Sequence, residues 1–343
     1  MRSRVPGKLI LSGEHAVVHG APALVMAVNA FAYADITPLQ DPAVHLHAPP
    51  WGTRHRPLAE LPQHLQAIRT RHRAFLAGTC PISAVAPDPM DFLFAAIAIA
   101  FEVNPPENGC AIQLHSDIPI GAGLGSSAAI ALALLRTLLP EADPHTLFEK
   151  ALACEHFQHG QSSGIDVAAC LQGGMLFASP RPLTPLTLQV AARPPLPFQI
   201  WQSGTPASTT GDCVAHVRKA FPSAHPIWSA FRTETLRLRT AMDAADADAW
   251  LLGIRNNHRL LSEIGVVPAA VQTQIARWET EGHAAKICGA GSITGDAAGI
   301  LLVTGTPSPP LHPDWRQLHL DISASGACLL PAPTTPATTR TTH

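Results

Sequence analysis

The stretch PIGAGLGSSAA, from Pro119 to Ala129, constrains the chain most, because it joins a predicted strand to a predicted helix through a glycine-rich turn. An apolar run, Ala111 to Leu114, precedes the turn, and an Ala/Leu-rich helix follows from Ser127 to Leu139. Alternate glycines let the backbone approach a ligand closely, and a helix start offers free N–H groups and a positive dipole end. The pattern therefore indicates a polyphosphate site, although a glycine-rich turn that binds nothing would have the same sequence.

The composition excludes several classes of protein. A chain of 343 residues is long for one core, and 46% hydrophobic with 14% charged residues is typical of a globular protein. The net charge of -2 and a pI near 6.8 argue against a nucleic-acid binder, so we expect a small substrate. The seven cysteines contain no CxxC pair, Pro6 and Gly7 stand where the apolar region of a signal peptide would lie, and no apolar run reaches the ~18 residues of a membrane span. We therefore expect a soluble, cytoplasmic protein with reduced thiols and no membrane partner.

Hydrophobic patterning predicts a β-rich beginning and a mixed α+β remainder. Strands are predicted at Lys8 to Leu11, Ala23 to Val28, Phe31 to Thr37, Val44 to His47, Ala111 to Leu114, Met175 to Ala178, Leu186 to Val190, Phe198 to Ser203 and Gly299 to Val303. Helices are predicted at Leu58 to Leu76, Met90 to Val103, Ser127 to Leu139, Pro144 to Gln158, Cys213 to Phe221, Ile227 to Met242, Ala247 to Ile264 and Pro268 to Glu281. The Pro/Thr-rich tail, residues 331–343, is predicted to be disordered.

Two carboxylates form a second chemical cluster. Glu155 lies late on one predicted helix, and a glycine/serine turn brings the chain to Asp166 at the start of the next helix, so both could face one cleft. Two structural alternatives stand beside this hypothesis. Glu155 could be a solvated helix residue, and Ser163 with Asp166 matches a capping box that only satisfies backbone N–H groups.

Four segments, taken in order, resemble the successive motifs of the GHMP kinase superfamily: PGKLILSGEHAVVHG (Pro6 to Gly20), PIGAGLGSSAA (Pro119 to Ala129), HGQSSGID (His159 to Asp166) and KICGAG (Lys286 to Gly291). The EHAVVHG part is most similar to the mevalonate kinase branch, because galactokinases carry an acidic residue soon after the EH pair. The resemblance spans roughly residues 4–304. It implies a two-lobed α+β fold, with a β-rich ATP-binding N-terminal lobe at residues 1–180, an α/β C-terminal lobe at residues 181–330 and the active site in the cleft between them.

The resemblance also implies a role for each matched position. ATP and Mg²⁺ would be the cofactors, and the triphosphate would be cradled by Pro119, Gly121, Ala122, Gly123, Leu124, Gly125, Ser126 and Ser127. Ser127 and Glu155 would bind Mg²⁺, Asp166 and Lys8 would be catalytic, and Glu14 and His15 would contact the acceptor. These roles suit phosphoryl transfer, which depends on positioning and charge neutralisation.

The implied reaction is phosphorylation of the 5-hydroxyl of mevalonate, with mevalonate and ATP as partners, no nucleic acid, and a homodimer compatible with the pattern. Alternatives are another GHMP small-molecule kinase, such as a phosphomevalonate kinase or a sugar kinase, or a silent GHMP-fold protein that binds a ligand and regulates. The presence of Lys8, Ser127, Glu155 and Asp166 together favours an enzyme. His15 would offer a ring N–H to a hydroxyl or carboxylate of the acceptor.

Two segments depart from the family pattern. Ser292 to Asp296 follows Gly291 where the family usually has more glycines, so we predict a loop that does not touch the triphosphate. Thr210 stands where mevalonate kinases often have a basic residue, which weakens the case for an anion contact at that position.

Overall fold

The computed structural model describes residues 1–178 and 188–331, in which the chain forms twelve β-strands and nine α-helices. The strands are β1 (Arg2–Ser12), β2 (Ala23–Pro38), β3 (Ala43–Ala48), β4 (Gly52–Pro57), β5 (Cys110–Ser116), β6 (Met175–Ala178), β7 (Leu188–Val190), β8 (Phe198–Gln202), β9 (Ala285–Ile287), β10 (Ile300–Thr304), β11 (Arg316–Leu318) and β12 (Cys328–Leu330). The helices are α1 (Leu61–Leu76), α2 (Pro89–Val103), α3 (Ser126–Leu138), α4 (Pro144–His159), α5 (Ile165–Gln172), α6 (Thr210–Ala220), α7 (Ile227–Ala244), α8 (Ala247–Glu263) and α9 (Ala269–Thr280). The predicted disordered tail beyond residue 331 and the start of the predicted strand 186–190 lie outside the described residues.

The strands form two sheets. The larger sheet has the order β12-β1-β2-β5-β3-β4, with β6 pairing with β2 and β7 pairing with β6. All of its pairings are antiparallel except β3 with β5, which is parallel. The smaller sheet is antiparallel in the order β11-β8-β10-β9. The mixture of helices and mostly antiparallel strands confirms the predicted α+β class.

Strand β2 is one long strand where the sequence predicts two. It pairs with β6 through Ala23 to Met26 and with β5 from Ala32 onwards. Its register with β1 jumps between Pro6 and Gly7, so Asn29 and Ala30 have no partner on β1. The exposed Asn29 instead bonds to Asp321 through its backbone N–H and its side chain, and this bulge is the interruption visible in the sequence.

Apolar helices cover the larger sheet. Residues Ala128 to Leu135 of α3 are all buried, and this helix packs on β1 and β2. The predicted buried helix at residues 90–103 is α2, which begins one residue earlier because Asp88 caps it and Pro89 occupies its first turn. Small alanines let these helices lie close to the sheet, so the start of α3 is held at a fixed position relative to β1.

The smaller sheet has its own core, which contains Trp201, Leu301 and Val303 from the strands and Ile275 and Trp278 from α9. Two residues from the N-terminal part of the chain, Ala16 and Ala21, also belong to this core. The last strand, β12, returns to pair with β1. A domain boundary near residue 180 stays a prediction.

The cysteines and the helices bear on two expectations from the sequence, reduced thiols and no membrane span. All seven cysteines are free, as expected from their spacing. Among the helices within residues 1–178 and 188–331, none combines the length and the apolar character needed to cross a bilayer.

Candidate active site

The four motifs meet in one cleft of about 550 Å³ between the two sheets. Its walls include Lys8, Glu14 and His15 from the first motif, Gly121, Gly123, Gly125, Ser126 and Ser127 from the second, Glu155, His159 and Asp166 from the third, and Gly289 and Ala290 from the last. Helix α6 closes one side of the cleft through Thr210, Gly211, Val214 and Arg218. Segments that lie far apart in sequence therefore contribute to a single concave surface.

The glycine loop is attached to β1 at Lys8. The backbone N–H of Lys8 donates to the Leu124 carbonyl at 2.9 Å, and the Lys8 ammonium donates to the Gly123 carbonyl at 2.9 Å. Gly125 has a φ of +72°, and a Cβ there would lie 2.8 Å from Cγ of Lys8. A side chain at residue 125 would therefore displace the lysine.

The first turn of α3 is open to a ligand. Gly125 is the N-cap residue and supplies no side-chain cap, so the first N–H groups of the helix lack the usual side-chain acceptor. Ser126 and Ser127 are partly exposed and line the cleft at this turn. This geometry suits an anion such as a phosphate.

Three predicted loop residues do not line the cleft. Ala122 and Leu124 are buried in the core, so only their backbone is available to a ligand. Pro119 lines an adjoining pocket of about 280 Å³ together with Pro50 and Trp51. Trp51 also lines the main cleft, so the two cavities are neighbours.

Asp166 forms an ion pair with Lys8, with 3.0 Å between Nζ and Oδ2. Lys8 is buried, whereas the side chain of Asp166 is 26% exposed and lies on the cleft wall. Helix α5 has no side-chain cap, so the alternative in which Asp166 belongs to a capping box is wrong. Asp166 is a carboxylate fixed by a lysine and still accessible from the cleft.

Glu155 is buried near the end of α4, so the alternative of a solvated helix residue is wrong. Its Oε2 lies 3.6 Å from Nε2 of His159, and its Oε1 is buried without a hydrogen-bond partner among the described residues. Burial raises the pKa of Glu155, against the opposing charge of His159. Ser127 is close by, with its Oγ 3.5 Å from the same His159 nitrogen.

An unsatisfied buried carboxylate oxygen beside a serine hydroxyl fits a hard cation such as Mg²⁺. No cluster of three or more His, Cys, Asp or Glu side chains suited to a metal occurs within residues 1–178 and 188–331. Mg²⁺ commonly takes only one or two protein ligands and completes its coordination with phosphates and water. Ser127 and Glu155 therefore fit that role without a larger cluster.

Glu14 pairs with Lys286, which was not among the predicted site residues. The lysine is fully buried and also donates to the carbonyls of Ile287, at 2.6 Å, and Ile10. The other oxygen of Glu14, Oε2, is buried and has no partner among the described residues. Since Glu14 lines the cleft, this oxygen is a candidate acceptor for a substrate hydroxyl.

His15 differs from its expected role. Its Nε2 lies 3.0 Å from the Ala290 carbonyl, which can only accept, so Nε2 carries the proton and donates. Burial lowers the pKa of His15 to about 4, so the ring is neutral at pH 7 and has no second N–H. The remaining nitrogen, Nδ1, is an acceptor and suits a hydroxyl rather than a carboxylate.

The divergent loop after Gly291 stays away from the cleft, because residues 292–296 do not line it. Ser292 accepts from the Ser208 N–H at 3.1 Å, and Ser208 bonds to the Thr294 hydroxyl at 3.1 Å. The loop is therefore tied to the segment before α6. Thr210 reaches the cleft with its expected uncharged side chain.

Three polar residues of the cleft region, His159, Arg218 and Lys286, were not among the predicted functional residues. His159 is the first residue of the third motif and Lys286 is the first residue of the last one, so their places in these motifs were the sequence signal for both. Arg218 lies outside every motif. Its one sequence signal is the spacing of residues 210, 214 and 218, which places them on one face of a helix.

Comparison with known proteins agrees with the geometry. Residues 91–174 match the family model described as the GHMP kinases N terminal domain. A mevalonate kinase of Archaeoglobus fulgidus is 28% identical over 85% of this chain and 89% of that protein. A mevalonate kinase of Schizosaccharomyces pombe is 31% identical, but over only 50% of this chain and 48% of that protein.

Solved structures show the same fold. The Methanococcus jannaschii mevalonate kinase superposes with a TM-score of 0.68 at 19% identity, covering 94% of this chain and 98% of that chain. The Lactococcus lactis galactokinase, solved with galactose, superposes with a TM-score of 0.71 at 14% identity, covering 96% and 95%. Overall shape therefore does not separate acceptor classes.

The fold and the four ordered motifs match those of the GHMP kinase superfamily, whose N-terminal domain model matches residues 91–174. Within that superfamily, the sequence relatives described above are mevalonate kinases.

Proposed function

We propose that this protein is an ATP-dependent kinase that phosphorylates the 5-hydroxyl of mevalonate. The observation that carries the proposal is the Lys8–Asp166 ion pair, which lies in the cleft with its lysine bonded to the Gly123 carbonyl of the glycine loop. A carboxylate and a cation thus lie next to a phosphate-type loop. That is the arrangement phosphoryl transfer requires.

The nucleotide would bind along the glycine loop. Phosphates would accept from the N–H groups at the start of α3, beside Ser126 and Ser127. The adenine base would lie in the adjoining 280 Å³ pocket, where Pro50, Trp51 and Ile120 offer apolar surface. Trp51 and Ile120 line both cavities, so one ligand can extend from the loop into this pocket.

Ser127 and Glu155 would hold Mg²⁺, and Glu155 Oε1 is the buried oxygen that such a ligand would satisfy. When bound, the cation neutralises charge on the phosphates. Asp166 would orient the acceptor hydroxyl and accept its proton, while Lys8 would stabilise the negative charge that develops beside it.

The acceptor would bind between the EH pair and Asp166. Glu14 Oε2 and His15 Nδ1 are both acceptors, so this wall favours a ligand that brings hydroxyl groups. Mevalonate carries a tertiary hydroxyl as well as the primary one. Sequence similarity to mevalonate kinases supports this acceptor over a sugar, because the galactokinase likeness extends only to the fold.

The test is steady-state turnover of the purified protein with ATP, Mg²⁺ and a panel of acceptors: mevalonate, phosphomevalonate and galactose. We expect the highest kcat/KM with mevalonate and a product phosphorylated at the primary hydroxyl, identified by ³¹P NMR. A higher kcat/KM with phosphomevalonate or galactose would overturn the acceptor and leave the kinase standing. Absence of ADP formation with every acceptor would overturn the kinase and favour a silent ligand-binding protein.

A further inference from the structure

Arg218 is a cation of the cleft that the proposed reaction does not use. It lies on α6, and its side chain lines the cleft with Val214 and Thr210, which are four and eight residues before it on the same helical face. The capping box of Thr209 and Asp212 fixes the start of this helix. The direction of this face is therefore set by the fold rather than by a mobile loop.

The guanidinium of Arg218 has no hydrogen bond or ion pair with any residue in the described part of the chain. The other cleft charges are engaged, Lys8 with Asp166 and Glu14 with Lys286. Among the described residues, Lys8 and Arg218 are the lysine and arginine that line the cleft. Arg218 is therefore the strong cation there that remains available to a ligand.

Arg218 lies near the segment that carries Glu14 and His15. Burial lowers the pKa of His19, and the positive charge of Arg218 lowers it further. His19 belongs to the same short segment as Glu14 and His15. The phosphates of the nucleotide have donors of their own in the uncapped N–H groups at the start of α3. The anion nearest Arg218 would accordingly come from the acceptor rather than from the nucleotide.

Neither Glu14 nor His15 offers a donor to a carboxylate. Glu14 is an anion and would repel one, while His15 uses its single N–H on Ala290. A guanidinium can bind a carboxylate through two parallel hydrogen bonds. One arginine matches the single negative charge of an acid.

We infer that Arg218 binds the carboxylate of a hydroxy-acid acceptor and makes this kinase selective for anionic acceptors. This inference rests on the proposed function. It assigns the anion contact to the C-terminal part of α6, in place of the uncharged Thr210 at its start.

The experiment compares Arg218→Gln with wild type, using mevalonate and its uncharged analogue 3-methylpentane-1,3,5-triol. We expect KM for mevalonate to rise roughly 10- to 100-fold, as for loss of a hydrogen bond to a charged group, with KM for ATP unchanged. KM for the triol should be the same in both proteins, because it has no carboxylate. Arg218→Lys should recover part of the affinity by retaining the charge without the planar fork.

Lys219→Gln is the matched control. It removes one positive charge from the neighbouring position of α6, at an exposed residue that does not line the cleft, and should leave all constants unchanged. An unchanged KM for mevalonate in Arg218→Gln would overturn this inference while the kinase stands. An increase in KM for ATP instead, or an equal loss with the triol, would also overturn it. Failure of the wild type to phosphorylate mevalonate would overturn both the inference and the proposed function.

Discussion

The molecule contains two lysine–carboxylate pairs in the cleft region, and they differ in exposure and in sequence distance. Lys8–Asp166 joins β1 to α5 beside the glycine loop, and its carboxylate is 26% exposed. Lys286–Glu14 joins β9 of the smaller sheet to the turn after β1 of the larger sheet, and both side chains are almost completely buried. The first pair presents a solvent-accessible carboxylate to the cleft, whereas the second is enclosed and connects the two sheets.

This difference indicates different roles. Water and substrate can reach Asp166, so its charge can change partners during a reaction without a large desolvation penalty. Lys286 is enclosed by carbonyl groups and Glu14, so it holds one carboxylate oxygen in place and leaves the other for a ligand. We therefore predict that the buried pair matters more for stability and the accessible pair more for turnover.

The largest effect should come from Lys286→Met, which leaves the carboxylate of Glu14 buried without its cation. We expect a loss of about 3–5 kcal/mol in the free energy of unfolding. Lys8→Met should cost less, about 1–2 kcal/mol, because water can solvate part of Asp166. Urea denaturation at pH 7 measures both.

A double variant tests the origin of that loss. Lys286→Met with Glu14→Gln removes both charges and should recover most of the stability, yet KM for the acceptor should stay raised because Glu14 is gone. If Lys286→Met and Lys8→Met have the same free energy of unfolding, the deeper burial of the Lys286–Glu14 pair does not make it more important for stability.

Next in size is the effect of Asp166→Asn on turnover. An amide cannot accept the proton of the attacking hydroxyl, so we expect kcat to fall roughly 10²-fold or more while ATP binding stays nearly intact. Calorimetric titration with ATP and steady-state kinetics separate the two quantities. A variant with normal kcat and reduced stability would show that Asp166 is structural.

Local signals predicted most of the helices. Asp143 before Pro144 predicted the start of α4, and the Asp143 carboxylate does accept from the Thr146 N–H at 2.9 Å. Strands β4 and β12 were missed for physical reasons. The polar, largely exposed GTRHRP of β4 has no apolar alternation, and β12 is a strand only because it pairs with β1 at the other end of the chain.

Some residues of the candidate site could be predicted from local sequence signals, and others could not. Glu155 and Asp166 lie next to helix ends, so their convergence on one cleft followed from local spacing. Lys286 and Arg218 could not be found in that way, because their roles depend on a partner 272 residues away and on the packing of α6. The tautomer of His15 could not be predicted from the sequence either, because it depends on a hydrogen bond to the Ala290 carbonyl, 275 residues away.

A smaller effect is expected at the proposed metal site, which includes a carboxylate with no lysine partner. Ser127→Ala and Glu155→Gln should each raise the Mg²⁺ concentration needed for half-maximal rate, because each removes an oxygen ligand. Asp166→Asn should leave that concentration unchanged. Unchanged Mg²⁺ dependence in the Ser127 and Glu155 variants would remove both residues from the metal site.

The smallest effect is expected at Asp296, an exposed carboxylate that belongs to neither pair and lies outside the cleft. Asp296→Ala should change the Kd for ATP less than about twofold, because solvent screens a charge that does not face the phosphates. Its loop is held by Ser208 and Thr294, so the substitution should also leave the position of Gly289 unchanged. Isothermal titration at low and high salt is the measurement. A large gain in ATP affinity at low salt would show that this carboxylate repels the triphosphate, and that the loop after Gly291 approaches the nucleotide as the family's longer glycine run suggests.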